Sequence, residues 1–551
     1  MKCENNVSGY LIRRLIDYGV GHVFGVPGDY ILDFYRQLEE SPLQLINTSD
    51  EQGAGFAADA YARLNGLGVV CVTYCVGGLK IANTTAQAFA EKSPVVVISG
   101  APGLNERRRN PLLHHKIRDF DTQLRIFRQL TVAATDLSET DNGCQEIDRV
   151  LAAAVRYKRP VYIELPRDLN ASACGPLQTS LPDPPESDGE ALGEALDEAR
   201  RMLGEARQPV AIAGIELQRF GLEKQFLELV EGSGIPFAAT ALSKGGLSED
   251  HPLYLGVYEG AVGDDSIRRY VEESDCLLLL GAFMTDVNLG IFTADLNRAL
   301  SISASSEGSA IAFHQYPEVF LADLLHGLLT ADLPRRPPAS LPGRPASASF
   351  IPGDDPVSIK RLFQCLDSFI DSQTTVLADP GEAMFSAADL TICHPAAFLC
   401  PAYYTSMGFA VPGAIGAQLA RPDLRPLVVT GDGAFQMTGM ELATAARFGL
   451  TPIVIVLNNR GYGTERPMTD GAFNDIPGWR YSRLPEVFGS GRGYEIRTEK
   501  ELDRALQEAR HNDRELALIE VHLDQDDHSP AFERLTEALG KRVRQSNNTE
   551  R

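Results

Sequence analysis

Residues 426–459 read PLVVTGDGAFQMTGMELATAARFGLTPIVIVLNN and hold the strongest local signal in the chain. Two apolar runs, PLVVT and PIVIVL, predict buried β-strands, because their hydrophobic residues are continuous, as in a parallel sheet covered on both faces. The first run leads into Gly431-Asp432-Gly433, and the second ends at Asn458-Asn459. Because open α/β sheets bind ligands at the carboxyl ends of their strands, we expect these two polar segments to meet at one edge.

The residue types at this edge favour a diphosphate and a hard metal ion. The glycines on both sides of Asp432 let the backbone approach a diphosphate closely. Asp432 offers a carboxylate, Asn459 a side-chain carbonyl and Gly461 a main-chain carbonyl, and Mg²⁺ binds such oxygens together with phosphate oxygens. A Gly-Asp-Gly turn alone is common, so the prediction of a Mg²⁺ site depends on its combination with the strand-terminal asparagines.

The alternation of apolar strands with amphipathic helices extends outward over the whole chain. Further buried strands are predicted at HVFGV, GVVCVTY, PVVVISG and PVYIELP in the first block, PVAIAG and CLLLLGA in the middle, and TTVLAD and LALIEVH in the last. Segments 176–189 and 333–356 are rich in Pro, Ser and Gly, which is typical of linkers. The pattern predicts an α/β protein with three doubly wound parallel-sheet domains, at residues 1–178, 190–332 and 357–545.

The composition excludes several classes of function. The net charge is −23, and a protein this acidic is a poor binder of nucleic acids or anionic membranes, which need clustered Lys and Arg. No run of about 18 apolar residues predicts a membrane span, and no secretory signal opens the sequence. The nine cysteines are odd in number and scattered, which favours a reducing compartment and argues against a disulfide framework. We therefore expect a cytoplasmic enzyme with a small-molecule substrate.

The segment from Gly431 to Asn459 resembles the thiamine-diphosphate-binding motif of the family that contains pyruvate, indolepyruvate and phenylpyruvate decarboxylases. The resemblance covers nearly the whole chain, and the three predicted domains are similar to the family's pyrimidine-binding, middle and diphosphate-binding domains. It implies thiamine diphosphate and Mg²⁺ as cofactors, and a homodimer or homotetramer whose sites take residues from two subunits. It assigns the metal to Asp432, Asn459 and the Gly461 carbonyl, and places Gly433 and Ala434 beside the cofactor.

Other positions match the family's contacts to the cofactor. Glu51, in NTSDEQGAGFAADAYAR, is otherwise a charge at the start of a small-residue helix, but the resemblance implies that it hydrogen-bonds the pyrimidine ring. Met407, in YYTSMGFAVP, is otherwise a core methionine, but it matches the bulky residue that bends the cofactor. The main chain of Thr405 and Met407 is then expected to bond the pyrimidine. Glu382 matches a position near the diphosphate, where an aspartate or a hydroxyl residue is more usual.

A cluster of titratable residues resembles the acid/base cluster of pyruvate and indolepyruvate decarboxylases. It consists of Asp29 in the turn PGDY and His114-His115 in PLLHHKI, and histidine suits this role because its charge changes near neutral pH. Alone, Asp29 would be a turn residue. Many carboligases and oxidases of the wider family lack the adjacent histidines, so the pair favours a decarboxylase. Glu465, six residues after Asn459, matches the second catalytic glutamate, and its other interpretation is an exposed loop residue.

The residues expected around the substrate favour an aromatic or other bulky 2-oxo acid, such as phenylpyruvate or indole-3-pyruvate. Thr464 stands where pyruvate-specific members often carry a larger aliphatic residue, and Tyr404 and Met468 flank it. Some phenylpyruvate decarboxylases lack the glutamate at position 465 and use a middle-domain aspartate, for which Asp286 is the candidate unless it caps a helix. Pyruvate and branched-chain 2-oxo acids are the alternative substrates, and a carboligase or a non-catalytic cofactor-binding protein are the alternative functions.

Overall fold

The computed structural model describes residues 6–174, 186–337, 341–342, 350–395 and 397–537, which form three sheets covered by helices. One sheet lies in each of the three predicted blocks, so the predicted α/β fold class is confirmed. The predicted linkers at 176–189 and 333–356 lie partly outside the described residues. The boundaries of the three domains therefore stay a prediction.

The first sheet consists of six parallel strands: β1 (His22–Gly25), β2 (Gln44–Asn47), β3 (Gly68–Val72), β4 (Val95–Ala101), β5 (Ala133–Asp136) and β6 (Val161–Pro166). Their order is β2-β1-β3-β4-β6-β5, and every neighbouring pair is parallel. Its helices are α1 (Val7–Asp17), α2 (Leu32–Glu39), α3 (Glu51–Asn65), α4 (Ala82–Ala90), α5 (Leu104–Arg107), α6 (Thr122–Leu130) and α7 (Gly143–Tyr157).

The second sheet has seven strands: β7 (Pro209–Ala213), β8 (Phe237–Ala239), β9 (Tyr254–Val257), β10 (Cys276–Leu280), β11 (Ser301–Ser305), β12 (Gly308–Ile311) and β13 (His314–Tyr316). Its helices are α8 (Gly189–Glu205), α9 (Ile215–Arg219), α10 (Glu223–Ser233), α11 (Asp265–Glu272) and α12 (Leu321–Leu329). The order is β13-β12-β11-β10-β7-β8-β9, and the pairs β11–β12 and β12–β13 are antiparallel, whereas the other neighbouring pairs are parallel. The predicted parallel-sheet class is confirmed for this mostly parallel sheet, and the exception is β12, because the tight turn between Ser305 and Gly308 returns the chain as a hairpin.

The third sheet is again fully parallel, with strands β14 (Thr374–Ala378), β15 (Phe398–Leu399), β16 (Arg425–Gly431), β17 (Ile453–Asn458), β18 (Arg492–Ile496) and β19 (Ala517–His522). Their order is β15-β14-β16-β17-β19-β18. Its helices are α13 (Ile359–Phe369), α14 (Glu382–Ala387), α15 (Ala410–Ala420), α16 (Asp432–Thr438), α17 (Leu442–Arg447), α18 (Leu484–Phe488) and α19 (Glu499–His511).

The continuous apolar strands are explained by helices on both faces of each sheet. In β4, Val96 and Ile98 join one hydrophobic cluster, while Val95 and Val97 join a separate cluster on the opposite face. Successive side chains of a strand point to opposite faces, so both sets must be apolar when both faces are covered.

Helix α3 of the first block packs directly against α15 of the third. A Cβ atom added to Gly416 would lie 1.9 Å from the carbonyl oxygen of Ala57, so only glycine allows this approach. The small side chains of α3, which include Ala54, Ala57 and Ala58, are fully buried. This contact fixes Glu51, the first residue of α3, relative to the third sheet.

One disulfide corrects the expectation drawn from the cysteines. Cys144 in α7 is bonded to Cys174, which follows the first sheet. The two are 30 residues apart, so their spacing in the sequence did not reveal the proximity that the fold creates. The free thiols in the described residues are Cys71, Cys75, Cys276, Cys365, Cys393 and Cys400.

Within the described ranges, none of the helices combines the length and the apolar character needed to cross a bilayer.

Candidate active site

Asp432 and the segment after β17 meet at the carboxyl edge of the third sheet. Strands β16 and β17 are neighbours, with Gly431 opposite Leu457. The Asp432 carboxylate accepts hydrogen bonds from the backbone N–H groups of Gly433 (2.8 Å) and Arg460 (2.6 Å). The expected approach of the Gly-Asp-Gly turn to the asparagine pair is therefore present.

The burial of Asp432 favours a cation beside its carboxylate. It is 1% exposed, and burial raises its pKa to about 7, although the surrounding N–H groups act in the opposite direction. Among the residues that the structure describes, no basic side chain pairs with it. Taking a charge out of water is costly, and a divalent cation would offset that cost. The oxygens of Asp432, Asn459 and Gly461 are a donor set that fits Mg²⁺.

The backbone after β17 is tightly fixed. Tyr462 donates its N–H to the carbonyl of Asn474 (2.8 Å). A Cβ atom on Gly461 would lie 2.4 Å from the same carbonyl, and one on Gly433 would lie 2.6 Å from the ring of Tyr462. Arg460 has a φ of 61°, a strained value for a residue other than glycine, and such values cluster at functional sites.

The loop that carries Thr405 and Met407 is held by a residue of the first block. The buried Glu91 carboxylate accepts the backbone N–H groups of Tyr403 (2.9 Å) and Tyr404 (2.8 Å). Thr405 has a φ of 55°, so this loop also contains a strained residue. Met407 is half-buried beside it.

Asp379 fixes the same loop from the third sheet. It follows β14, is fully buried, and accepts the N–H groups of Gly408 (3.0 Å) and Ala410 (3.1 Å). Its second oxygen accepts the hydroxyl proton of Thr430 (2.7 Å). Burial raises the pKa of Asp379 to about 6. The loop after Met407 is therefore tied to the ends of β14 and β16.

Glu51 begins α3 at the carboxyl edge of the first sheet. Asp50 caps the helix, because its carboxylate accepts the N–H of Gln52 (2.8 Å). Glu441 of the third block accepts the N–H groups of Ser49 (3.1 Å) and Asp50 (2.9 Å). The backbone before Glu51 is thus positioned by both blocks.

Asp29, His114 and His115 form a cluster at the same edge. Nε2 of His114 lies 2.7 Å from a carboxylate oxygen of Asp29, and the imidazole ring of His114 stacks on Tyr30 with 4.9 Å between centroids. His115 packs edge-on against His114 and has a φ of 65°. One polar atom of each residue lies within 4.8 Å of the others. The fold therefore brings the three residues together, and their acid/base role stays a prediction.

Comparison with known proteins adds the deciding observation. The sequence matches the N-terminal TPP binding domain of thiamine pyrophosphate enzymes at residues 5–123, their central domain at 196–316 and their C-terminal TPP binding domain at 379–521. It is 38% identical over 509 residues to an indole-3-pyruvate decarboxylase of Azospirillum brasilense, which covers 91% of this chain and 92% of that protein.

The chain belongs to the thiamine-diphosphate-dependent 2-oxo-acid decarboxylase family. It is also 34% identical over 530 residues to an alpha-keto-acid decarboxylase of Mycolicibacterium paratuberculosis, covering 94% of this chain and 93% of that protein. With a pyruvate decarboxylase of Neurospora crassa, the identity is 31% over 535 residues, covering 95% of this chain and 94% of that protein. The matched ranges overlap all three sheets, so the thiamine diphosphate site is expected where the first and third sheets present their carboxyl edges.

Glu382 is predicted to lie near the diphosphate of this family's cofactor. In the structure, its carboxylate contacts residues of the same chain. One oxygen accepts the hydroxyl of Ser386 (2.9 Å) and the N–H of Ser529 (3.1 Å). Nδ1 of His528 lies 3.5 Å from the other, and a hydrogen bond to Glu382 raises the pKa of that histidine. The carboxylate is thus turned toward the C-terminal segment, and its role toward the diphosphate stays a prediction.

The residues predicted around the 2-oxo acid lie on exposed turns. Glu465 is exposed, and its N–H bonds the carbonyl of Tyr462 (3.1 Å). Thr464 lies beside Gly381, whose added Cβ would be 3.7 Å from the methyl group of Thr464. Tyr404 and Met468 are 38% and 63% exposed. The roles of these side chains stay predictions.

Asp286 lies in a turn rather than at a helix end. Its carboxylate accepts the N–H of Val287 (2.9 Å). Phe283 and Val287, on either side of it, pack against the core of the third block. The loop therefore borders the third block, and a catalytic role for Asp286 stays a prediction.

Several residues that build the site have no local signal in the sequence. Glu91, Glu441 and Lys80, which pairs with Glu51, act across long separations that only the fold closes. Arg167 is a fourth, because it lies 3.7 Å from the Asp29 carboxylate. Asp379 was detectable, because a charged residue ends an apolar strand there and Pro-Gly follows, the same kind of signal that revealed Asp432.

Proposed function

We propose that this chain uses thiamine diphosphate and Mg²⁺ to decarboxylate a 2-oxo acid non-oxidatively, releasing an aldehyde and CO₂. The observation that carries the proposal is the hydrogen bond between Asp29 and His114, with His115 packed beside it. An adjacent histidine pair distinguishes decarboxylases from many carboligases and oxidases of the wider family. All the relatives named above are decarboxylases.

The cofactor would be held between the two carboxyl edges. Asp432, Asn459 and the Gly461 carbonyl would bind Mg²⁺, and Gly433 and Ala434 would lie against the diphosphate. Glu51 and the main chain of Thr405 and Met407 would bond the pyrimidine ring, and the side chain of Met407 would fix the bend between the two rings. When bound, thiamine diphosphate supplies an electron sink that makes loss of CO₂ from the substrate feasible.

The remaining residues would handle protons and the substrate. The Asp29 carboxylate orients the imidazole of His114, so a proton can be held at the nitrogen between them and delivered to the reacting carbon after CO₂ leaves. His115 offers a second imidazole in the same cluster. Glu465 would contact the substrate carboxylate or stabilise what remains after its loss, and Asp286 is the alternative for this role.

An aromatic or bulky substrate, phenylpyruvate or indole-3-pyruvate, is the finer part of the proposal. It is supported by the small side chain of Thr464 next to Gly381 and by the printed name of the relative that is 38% identical. Tyr404 and Met468 would form the apolar walls. Neither nucleic acid nor a membrane is expected as a partner of a chain with a net charge of −23.

We further propose a homodimer or homotetramer located in the cytoplasm. Several large apolar side chains near the candidate site are exposed in the single chain, which supports burial against a second copy. They are Val76, Leu112, Ile117, Met437, Met440 and Phe473. Most of the described cysteines are free thiols, as is usual in a reducing compartment.

The decisive experiment measures aldehyde formation with thiamine diphosphate and Mg²⁺, coupled to alcohol dehydrogenase. Phenylpyruvate, indole-3-pyruvate, a branched-chain 2-oxo acid and pyruvate are compared by kcat/KM, and Glu51→Gln is the matched inactive control. We expect the aromatic acids to be preferred and the variant to lose about a hundredfold or more in kcat. Preference for pyruvate would support the proposed reaction but contradict the proposed aromatic or bulky substrate. Absence of aldehyde from all four acids would reject the function.

A further inference from the structure

Lys80 forms an ion pair with Glu51 at the carboxyl edge of the first sheet. Its Nζ lies 2.8 Å from one oxygen of the Glu51 carboxylate, and it also forms a salt bridge with Asp50. Lys80 belongs to the short 3-10 helix Gly78–Ile81, which follows β3. Strands β2, β1 and β3 are neighbours, so the fold brings this helix beside the start of α3.

The surroundings make this pair different from an ordinary surface ion pair. The Glu51 side chain is 13% exposed, whereas that of Lys80 is 47% exposed. Among the described residues, Lys80 is the cation that bridges two consecutive carboxylates, and hydrogen bonds to Asp50 and Glu51 raise its pKa. Exposed ion pairs contribute little to stability, but a charge-assisted hydrogen bond to a largely buried carboxylate fixes its geometry.

The backbone and the side chain of Glu51 are held by separate contacts. Glu441 fixes Ser49 and Asp50 through their N–H groups, and the Asp50 cap fixes the first turn of α3. None of these contacts orients the Glu51 side chain. In the described part of the chain, the Lys80 ammonium is the group that does, through one carboxylate oxygen, which leaves the other oxygen for a ligand.

We propose that Lys80 is a positioning residue that holds the Glu51 carboxylate in the orientation required by the pyrimidine ring of thiamine diphosphate. The inference rests on the proposed function, because it takes Glu51 as the residue that bonds the ring. Without Lys80, Asp50 and Glu51 are adjacent carboxylates with no cation between them, and repulsion turns the side chains apart. The cofactor must then spend binding free energy on reorienting Glu51.

The test compares Lys80→Met with Lys80→Arg in the full chain. Lys224→Met is the matched control, since Lys224 pairs with Glu228 at 3.7 Å on an exposed face of α10. Binding of thiamine diphosphate with Mg²⁺ is followed by the fluorescence of Trp479, the single tryptophan. Trp479 lies beside Tyr481, whose hydroxyl bonds Gln436 in α16. Melting temperature and kcat at saturating cofactor are measured on the same samples.

We expect Lys80→Met to raise the Kd for the cofactor about tenfold and to lower kcat, with a melting temperature within about 2 °C of the wild type. Lys80→Arg should keep most of the cofactor affinity and most of kcat, and Lys224→Met should change neither quantity. Unchanged or tighter cofactor binding in Lys80→Met would overturn the inference. Failure of arginine to restore binding would also overturn it, because the positive charge would not be the cause.

Glu51→Gln separates this inference from the proposed function. If Glu51→Gln keeps full activity, the proposed function fails, whatever Lys80 does. If Glu51→Gln is inactive while Lys80→Met binds the cofactor as the wild type does, only the role of Lys80 fails.

Discussion

Three buried carboxylates lie at or near the carboxyl ends of strands, and burial raises the pKa of each: Asp379 to about 6, Asp432 to about 7 and Glu164 to about 8. Asp379 and Asp432 accept hydrogen bonds chiefly from backbone N–H groups, and these bonds position the loops around the candidate site. Glu164 has a different environment. It accepts the hydroxyl of Tyr162 (2.7 Å), lies 3.4 Å from Arg107, and is repelled by the charge of Asp136.

Glu164 is expected to make the protein less stable as pH rises. Its folded pKa of about 8 exceeds the ordinary value of 4.5, so between these values the native state keeps a proton that the unfolded chain has released. The contribution of Glu164 to stability is therefore full below about pH 4.5 and is lost as pH rises through about 8. Glutamine does not ionise, so Glu164→Gln should not lose stability in this way as pH rises. Its amide oxygen can still accept the hydroxyl proton of Tyr162.

Urea unfolding at pH 5 and pH 8 measures this effect. The free energy of unfolding of Glu164→Gln, relative to that of the wild type, should increase by up to about 1.4 kcal/mol per pH unit across that range. A difference between the two proteins that is equal at both pH values would contradict the assignment of a raised pKa to Glu164.

At the scale of elements, the sequence predicted the long buried strands and missed the short or partly exposed ones. Every apolar run quoted above overlaps an observed strand, because continuous hydrophobic residues are unambiguous when both faces are covered. In contrast, β15 has two residues and β18 is largely exposed, so neither carries a strong pattern. Residues at strand ends were predictable from the same runs. The supporting contacts from Lys80, Glu91 and Glu441 were not, because they depend on packing between distant segments.

The contact between α3 and α15 depends on a glycine. Gly416→Ala would place a methyl group 1.9 Å from the Ala57 carbonyl oxygen, so the two helices must separate. We expect a loss of at least about 2 kcal/mol of stability and weaker cofactor binding, because Glu51 begins α3. Gly193→Ala, in an open part of α8 with no atom within 4 Å of the added methyl group, is the control.

Thermal unfolding distinguishes the two glycine variants. Gly193→Ala should gain about 0.5–1 kcal/mol, as alanine does in exposed helix interiors. Equal melting temperatures for the two variants would show that the helices tolerate separation, and the proposed link between α3 packing and cofactor binding would then be wrong.

At the scale of the whole molecule, the proposed dimer can be tested by mixing two inactive variants. If one site takes Glu51 from one subunit and Asp432 from the other, a mixture of Glu51→Gln and Asp432→Asn chains can form heterodimers with one intact site. Half of the dimers are then mixed, and one of their two sites works, so refolded mixtures should regain about a quarter of wild-type activity. Each variant alone should stay inactive. A mixture without activity would indicate that both residues come from one subunit.

The reciprocal contacts between the first and third blocks constrain how such proteins can be recombined. Glu91 of the first block holds Tyr403 and Tyr404 of the third, while Glu441 of the third holds Ser49 and Asp50 of the first. Each block therefore holds a backbone segment of the other block that lies next to candidate site residues. Because the donors in both contacts are backbone N–H groups, a chimera that joins one half of this chain to the other half of a relative keeps both contacts only if the relative's half carries the matching glutamate. The two blocks are expected to evolve as one unit, although the middle block separates them in the gene.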